Sequence, residues 1–211
     1  MMSLAVRFVL IAVIGYLFGS FNTAIVVSKV MLGKDIRTMG SGNAGLTNSY
    51  RCMGETGTLL VLAGDILKTV FAVLIAAAIF SAQPGMLPVV RLLCGLFVIV
   101  GHMFPLYFGF KGGKGVLAGA TLGAMFNWKI FLILAIVFVL IVAITRYVSL
   151  GSIVIAAAFP FMSVGYYWNS PSRLPVFLMT LIIGGGIIYM HRSNISRLIH
   201  GKENKFSFHR K

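Results

Sequence analysis

Residues 57–80 read GTLLVLAGDILKTVFAVLIAAAIF, an apolar stretch whose charged residues are Asp65 and Lys68. About 20 consecutive apolar residues allow a helix to cross the hydrocarbon core of a bilayer. The stretch therefore predicts a transmembrane helix. Similar apolar stretches occupy residues 4–31, 87–109, 115–127, 129–145, 148–168 and 174–190.

Together these stretches predict the fold class. The one at 115–127 is short for a crossing, so we expect a partial, tilted or re-entrant helix there, or one that fuses with the next. The sequence predicts an all-α, polytopic integral membrane protein with about seven transmembrane helices, and five or six is the alternative. No linker or internal repeat divides the sequence, and we expect residues 1–211 to form a single domain.

Composition excludes the other broad classes of protein. Hydrophobic residues make up 59% of the chain and charged residues 10%, against roughly 25% charged residues in an ordinary soluble domain. These values exclude a soluble globule and a disordered chain. Two cysteines are too few for a disulfide scaffold. The unbroken apolar runs also differ from the alternating pattern of an outer-membrane barrel.

The charge balance points to anionic partners. There are 18 Lys and Arg residues against four Asp and Glu residues, so the formal net charge is +14. In a soluble protein this excess would indicate nucleic acid. Here the basic residues lie in short gaps between apolar stretches, so we expect acidic lipid and phosphorylated substrates instead, and no nucleic acid.

The distribution of basic residues predicts the orientation in the membrane. Most of them lie in the gaps 32–56, 109–115 and 145–149 and in the tail, which ends in Arg210 and Lys211. Because cytoplasmic loops are enriched in Lys and Arg, we expect the N-terminus outside and the C-terminus in the cytoplasm.

The first polar cluster is the segment 40–51, GSGNAGLTNSYR. Small residues such as Gly42 let the backbone approach a ligand, and consecutive amides can form a concave anion site. Arg51 offers a planar fork for phosphate oxygens. Hydrogen-bonding side chains come from Ser41, Asn43, Thr47 and Asn48. The alternative is a flexible loop, but irregular backbone beside lipid favours a function.

The second polar cluster combines residues 101–105, GHMFP, with residues 110–115, FKGGKG. Its glycine–lysine segment, residues 110–115, is similar to a nucleotide-binding P-loop but does not match the P-loop sequence pattern. Phe108 stands where that pattern requires glycine, and Gly115 stands where it requires serine or threonine. Nucleotide hydrolysis is therefore rejected.

The same glycine–lysine segment still predicts an anion site. Lys111 and Lys114 supply positive charge, and the amides of Gly112 and Gly113 are expected to be exposed to a ligand. The alternative is a basic loop that only orients the protein in the membrane.

Two further clusters are weaker evidence. Arg146 and Ser149 lie where one apolar stretch ends and the next begins, and their ordinary roles are an interface anchor and a helix cap. His191, Asn194 and Arg197 share one face of a continuing helix. That face could bind a polyol phosphate, or it could belong to a solvated tail that binds acidic lipid.

Asp65 and Lys68 are the residues whose placement in a membrane costs the most free energy. A charge at membrane depth costs roughly 2.5–3.5 kcal/mol on insertion scales. Their i, i+3 spacing allows them to pair on one helix. The sequence leaves open whether the pair is structural or catalytic.

No recognised catalytic apparatus is evident in the sequence. There is no metal-ligand spacing, no G-x-S-x-G motif, and no histidine followed five residues later by aspartate. We therefore predict no metal and no cofactor. An enzyme built this way would work by positioning its substrates and stabilising charge.

In their order along the chain, these motifs resemble those of bacterial acyl-phosphate:glycerol-3-phosphate acyltransferases of the PlsY type. The matching motifs are GSGN with Thr47, Asn48 and Arg51, then Asp65-x-x-Lys68, GHMFP with FKGGKG, Arg146 to Leu150, and His191-x-x-Asn194-Ile195. Each motif is weak alone, but five in this order are specific and cover essentially the whole chain. The sequence departs from the family at Leu117-Ala118, where Ala-Thr is common.

The resemblance implies an enzyme of the bacterial inner membrane whose active site faces the cytoplasm. It would transfer a fatty acyl group from acyl phosphate, rather than acyl-CoA, to the primary hydroxyl of glycerol 3-phosphate. Lysophosphatidic acid and phosphate would be the products, in the first step of membrane phospholipid synthesis. We expect a monomer whose partners are acyl phosphate, glycerol 3-phosphate and membrane lipid.

The candidate residues fall into three groups, and the resemblance implies that the phosphate-binding and substrate-binding positions line one cationic pocket for two phosphoryl groups. The catalytic, phosphate-binding positions are Ser41, Arg51, Lys114 and Ser149. The substrate-binding positions are Gly42, Asn43, Thr47, Asn48, Lys111, Gly112, Gly113, His191 and Asn194. The supporting positions are Asp65, Lys68, His102 and Arg146.

Two other function classes compete with the enzyme. A multi-pass transporter or flippase for a phosphorylated anion would often show internal repeats, and the sequence shows none. A structural subunit that binds acidic lipid would leave the ordered Ser, Asn and His pattern unexplained.

Overall fold

The computed structural model describes residues 2–206, and its regular elements there are all helices. The predicted all-α class is therefore confirmed. The α-helices are α1 (Leu4–Ser20), α2 (Thr23–Leu32), α3 (Leu46–Ile79), α4 (Leu87–Met103), α5 (Val116–Phe126), α6 (Trp128–Thr145), α7 (Val148–Tyr166), α8 (Arg173–Met190) and α9 (Arg192–Ile199). Three short 3₁₀ helices are Ile36–Thr38, Pro84–Met86 and Leu106–Phe108. Arg210 and Lys211, which contributed to the orientation prediction, lie outside the described residues.

Six helical segments of the described chain are long and apolar enough to cross a membrane. They are Leu4–Leu32, Leu46–Ile79, Pro84–Phe108, Trp128–Thr145, Val148–Tyr166 and Arg173–Met190. Six is the alternative that the sequence offered beside about seven, because the stretch at 115–127 forms the 11-residue helix α5. At 1.5 Å per residue this helix is about 16 Å long, which is too short to cross alone.

The first four α-helices pack together in a compact unit that ends at Met125. Helix α1 lies against α3 and α4, and α3 also contacts α2. A Cβ atom at Gly19 would collide with the carbonyl of Val98, and one at Gly101 would collide with that of Tyr16. Small residues of this kind let helix backbones approach closely in lipid, where close packing drives association.

Two breaks in the helices of this unit position polar residues. Between α1 and α2, the side chain of Asn22 accepts a hydrogen bond from the amide of Ile25 (3.2 Å) and caps α2. Inside α3, Gly54 has a φ of 70° and a ψ of −159°, a conformation that residues other than glycine rarely adopt. The resulting kink separates the start of α3, with Thr47 and Arg51, from its membrane-spanning part.

The second compact unit begins at Phe126. Helix α7 packs against α6 and α8, and α9 contacts both α7 and α8. Pro160 inside α7 has no N–H to offer the carbonyl of Ala156. Gly184 of α8 approaches that same carbonyl so closely that a Cβ atom would collide with it. Proline and glycine thus allow α7 and α8 to meet backbone to backbone.

Candidate active site

The loop that opens the first polar cluster is shaped by one side chain, that of Asn48. Asn48 is 1% exposed. Its Oδ1 accepts a hydrogen bond from the amide of Ser41 (2.8 Å), and its Nδ2 donates to the carbonyls of Met39 (3.0 Å) and Ile36 (3.3 Å). The amide group of Asn48 is therefore bonded to the loop's own backbone. Gly40 has a φ of 57°, and a Cβ atom there would collide with Oδ1 of Asn48.

The remaining candidates of this loop lie nearer to solvent. Ser41, Gly42 and Arg51 are exposed, whereas Asn43 and Thr47 are half-buried. Gly42 has a φ of 72°, which suits glycine in a tight turn. The loop thus presents a hydroxyl, an open backbone and a guanidinium outward while Asn48 holds it from inside.

The glycine–lysine segment packs directly against the first loop. The amides of Gly112 and Gly113 donate to the carbonyls of Met103 (3.0 Å) and His102 (3.0 Å). A Cβ atom at Gly113 would collide with the His102 ring and would lie 2.5 Å from the carbonyl oxygen of Ala44. The expectation that these two amides are exposed is therefore wrong, because each has a carbonyl partner within the protein. Glycine is needed here for close approach between the loops.

Lys111 is exposed and Lys114 is half-buried on this segment. The turn before them contains Gly109 and Phe110, whose φ angles are 67° and 58°. Phe110 is 55% exposed. This short turn sets the direction in which the two lysines leave the backbone.

A buried ionic network lies beneath these loops. The Lys68 Nζ atom is 2.7 Å from Oδ1 of Asp65 and 3.0 Å from Nδ1 of His102. It also donates to the carbonyls of Gly19 (3.3 Å) and Phe21 (3.0 Å). The predicted pairing of Asp65 with Lys68 is confirmed.

The same network links four helices of the first unit, since Gly19 belongs to α1 and His102 to α4. Thr23 at the start of α2 donates to Oδ1 of Asp65 (3.1 Å). Asp65, Lys68 and His102 are 1%, 5% and 4% exposed. An ammonium group can only donate, so Nδ1 of His102 accepts and a neutral ring carries its proton on Nε2. These bonds satisfy the charges inside the protein and fix His102 against the glycine–lysine segment.

In the second unit, the carboxylate of Glu203 forms hydrogen bonds with several of the predicted polar residues. Oε1 of Glu203 accepts from Oγ of Ser149 (3.0 Å) and from Nδ2 of Asn194 (2.8 Å). Oε2 accepts from Nε of Arg197 (2.8 Å). Burial alone would raise the pKa of the Glu203 carboxyl, but hydrogen bonds from these three residues outweigh it and hold the pKa below its ordinary value. The carboxylate is therefore ionised and joins α7 to α9.

His191 and Arg146 also belong to the second unit. His191 is 3% exposed, and its Nδ1 lies 2.8 Å from the carbonyl of Ile187. Since a carbonyl can only accept, Nδ1 carries the proton. Arg146 ends α6 with a φ of 63°, and its carbonyl accepts from the amide of Phe206 (2.7 Å). Arg146 therefore shapes the turn into α7 through its backbone.

Two residues that shape the site, Arg37 and Glu203, are not among the candidates predicted from the sequence. Arg37 lies in the basic gap 32–56, and its side chain bonds the carbonyls of Phe108 (2.7 Å) and Lys111 (2.8 Å). The small number of acidic residues could have pointed to both, because each acidic residue in so basic a chain is expected to pair with a basic one. Three of the four in the chain, Asp35, Asp65 and Glu203, each form an ion pair with a basic side chain.

Comparison with known proteins identifies the family. A family model described as glycerol-3-phosphate acyltransferase matches residues 9–201. The chain belongs to this family. The resemblance drawn from the motifs is therefore confirmed, and the chain is an acyltransferase rather than a transporter or a structural subunit.

Relatives in the family match over nearly their full length. A glycerol-3-phosphate acyltransferase of Clostridioides difficile is 41% identical over 94% of this chain and 95% of its own. One from Lactiplantibacillus plantarum is 36% identical over 96% and 93%, respectively.

Two solved structures share the fold. Both are of PlsY, an integral membrane glycerol 3-phosphate acyltransferase. Its glycerol 3-phosphate form has a TM-score of 0.81 at 34% identity, and its lysophosphatidic acid form has a TM-score of 0.78 at 33% identity. Each match covers 95% of this chain and 96% of the other. The family member described here is thus a multi-pass integral membrane protein.

Proposed function

We propose that this acyltransferase moves a fatty acyl group from acyl phosphate to the primary hydroxyl of glycerol 3-phosphate. The products are lysophosphatidic acid and inorganic phosphate. The observation that carries the proposal is the match to a protein solved in glycerol 3-phosphate and lysophosphatidic acid forms. The dense basic and hydroxyl groups of the two loops in the first unit support it, since both substrates carry phosphate.

The proposed reaction needs little help from acid–base groups. The hydroxyl oxygen of glycerol 3-phosphate attacks the acyl carbonyl carbon, and the bond from that carbon to the phosphate oxygen breaks. Phosphate leaves with the electron pair, and one of its oxygens takes the hydroxyl proton. His102 is an unsuitable base, because it is buried and accepts from Lys68. No dedicated protein base is assigned.

The basic side chains of the first unit are assigned to phosphate. Arg51 offers a bidentate fork and Lys114 a point charge, and both neutralise charge that grows on the leaving group. Ser41 donates from its hydroxyl. The neighbouring binding positions are Gly42, Asn43, Thr47 and Lys111. Gly112 and Gly113 are assigned instead to the close contact between the loops, since their amides already bond carbonyls of the protein. Asn48 is assigned to loop shape, since its amide already bonds three backbone groups.

The polar residues of the second unit are assigned to glycerol 3-phosphate and to their own support. Ser149 is a phosphate-binding position, and His191 and Asn194 contact the polyol phosphate. Glu203 orients Ser149 and Asn194 through Oε1, which accepts a hydrogen bond from each. Arg146 supports the turn before Ser149.

The Asp65–Lys68–His102 network is assigned a structural role. Its charges are satisfied by each other, by Thr23 and by carbonyls of the first unit. Buried charges that are fully paired cost less than unpaired ones. The network thus supports the loop from beneath without touching a substrate.

The proposed setting is the bacterial inner membrane, with the site facing the cytoplasm. The excess of basic loops on one side predicts an N-terminus outside and a C-terminus inside. This orientation needs an odd number of crossings, so the short helix α5 would take part in a seventh crossing. One chain acting as a monomer, with residues 1–211 as one catalytic domain, needs no cofactor. Acyl chains would stay in the lipid.

The experiment incubates purified protein in lipid vesicles with palmitoyl phosphate and labelled glycerol 3-phosphate. Labelled lysophosphatidic acid is the expected product, and palmitoyl-CoA should not replace palmitoyl phosphate. Arg173→Ala is the control for this assay, because Arg173 lies against Trp168 at the start of α8, whereas His191 follows the other end of that helix. Product from palmitoyl-CoA alone would overturn the assigned donor, and no product from either donor would overturn the function.

A further inference from the structure

Arg37 forms four side-chain hydrogen bonds and is not among the residues of the proposed site. It lies in the short 3₁₀ helix between α2 and α3. Its Nη1 donates to the carbonyls of Phe108 (2.7 Å) and Lys111 (2.8 Å). Its Nε and Nη2 donate to the two carboxylate oxygens of Asp35 (3.0 and 2.8 Å). One guanidinium thus connects the first loop to the start of the glycine–lysine segment.

The turn that Arg37 holds also has backbone hydrogen bonds from the amides of Phe108 (3.1 Å) and Phe110 (2.9 Å) to the carbonyl of Pro105. Gly109 and Phe110 both have positive φ angles, and this conformation is unfavourable for phenylalanine. The Phe110 side chain is 55% exposed, so packing holds it weakly. Arg37 bonds the carbonyl on each side of these two residues. The direction of Lys111, the next residue, therefore depends on this contact.

Asp35 fixes the guanidinium in place. Its Oδ1 also accepts from the backbone amide of Arg37 (3.0 Å). The hydrogen bond from the Arg37 side chain holds the pKa of the Asp35 carboxyl below its ordinary value, so the carboxylate is ionised at neutral pH. The carboxylate offsets the charge of Arg37, which leaves Lys111 and Lys114 as the positive groups of this segment.

We propose that Arg37 is a positioning residue for phosphate binding, which holds the Phe108–Lys111 turn so that Lys111 and Lys114 face the same anion. The inference rests on the proposed function, since it takes these lysines to be phosphate-binding. Arginine suits the task because its planar fork reaches two carbonyls and a carboxylate at once. A lysine ammonium carries the same charge but cannot span all three.

The test measures binding of glycerol 3-phosphate to purified protein by isothermal titration calorimetry, with no acyl donor present. Arg37→Lys should raise the dissociation constant at least about tenfold, in line with the loss of charge-assisted hydrogen bonds. Asp35→Asn should raise it by a smaller factor of about three, because Arg37 keeps its carbonyl bonds. Arg7→Lys is the matched control, since Arg7 bonds Gln83 away from both loops, and its affinity should equal that of the wild type.

A second measurement separates positioning from a general loss of structure. In the Lys111→Ala background, Arg37→Lys should weaken binding by less than it does in the wild type, because one of the groups it positions is gone. Wild-type affinity in Arg37→Lys, or equal effects in both backgrounds, would overturn the inference. Where Arg37→Lys does not fold, Asp35→Asn decides in the same way. A wild-type protein that binds no glycerol 3-phosphate would instead indicate failure of the proposed function.

Discussion

The two compact units organise their polar residues in opposite ways. In the first unit, hydrogen bonds hold the backbone of the loops: Asn48 and Arg37 bond loop carbonyls and amides, and glycines allow the loops to come into contact. In the second unit, hydrogen bonds hold the predicted side chains themselves, because Glu203 accepts directly from Ser149 and Asn194. The first arrangement depends on shape and the second on one ionised carboxylate, so they should fail under different changes.

The largest effect is expected from removing a phosphate-binding charge in the first unit. Arg51→Ala and Lys114→Ala should each lower kcat/KM by a factor of about 10²–10³, the range seen when one donor to a developing charge is lost. Initial rates with acyl phosphate and glycerol 3-phosphate measure this. Near-normal rates in either variant would remove that residue from the site.

The next largest effect tests shape alone. Gly113→Ala should lower kcat/KM by about 10²-fold, because the added methyl group forces the glycine–lysine segment away from His102 and Ala44. Gly185→Ala is the matched control, since a Cβ atom there meets nothing within 4 Å. If both variants had the same activity, the close contact between the loops would not matter for catalysis.

A smaller effect is expected in the second unit. Glu203→Gln keeps the size of the side chain but cannot accept from all three donors, so kcat/KM should fall about tenfold. Glu55→Gln is a suitable control because Glu55 is exposed. If Glu203→Gln and Glu55→Gln had the same kcat/KM, Glu203 would not be needed to orient Ser149 and Asn194.

The smallest effect concerns pH and stability. Because the pKa of Glu203 is lowered by folding, its contribution to stability is present above the ordinary carboxyl pKa of 4.5 and is lost as pH falls through the lower folded value. Wild type should unfold at a higher temperature than Glu203→Gln at pH 7, and this difference should shrink as pH falls below 4.5. Thermal unfolding in detergent measures both midpoints, and a difference that stays constant down to the most acidic pH measured would contradict the assignment.

The sequence allowed the local features to be predicted. Apolar length predicted the helices and the shortness of α5, and i, i+3 spacing predicted the Asp65–Lys68 pair, since both depend on neighbours along one helix. The contacts of Arg37 with Phe108 and of Glu203 with Ser149 could not be predicted, because they join residues 71 and 54 positions apart.

The amides of Gly112 and Gly113 show the same limit. Glycine richness correctly indicated close approach, but the sequence could not show that the approach is to His102 and Ala44. The gathering of Ser41, Arg51, Lys114 and Ser149 around two phosphoryl groups stays a prediction, as it depends on residues of both compact units.

The central claim of the proposed mechanism is that the leaving phosphate, and no protein side chain, accepts the hydroxyl proton. The most direct measurement is the pH profile of kcat for wild type and His191→Asn at saturating substrates, because asparagine can keep the hydrogen bond to the Ile187 carbonyl that His191 makes. If the leaving phosphate takes the proton, His191→Asn should raise the KM for glycerol 3-phosphate and leave the shape of the kcat profile unchanged, with kcat lowered by no more than about tenfold. A kcat that falls by about 10³-fold or more, with loss of the ascending limb of the profile, would instead identify His191 as the base.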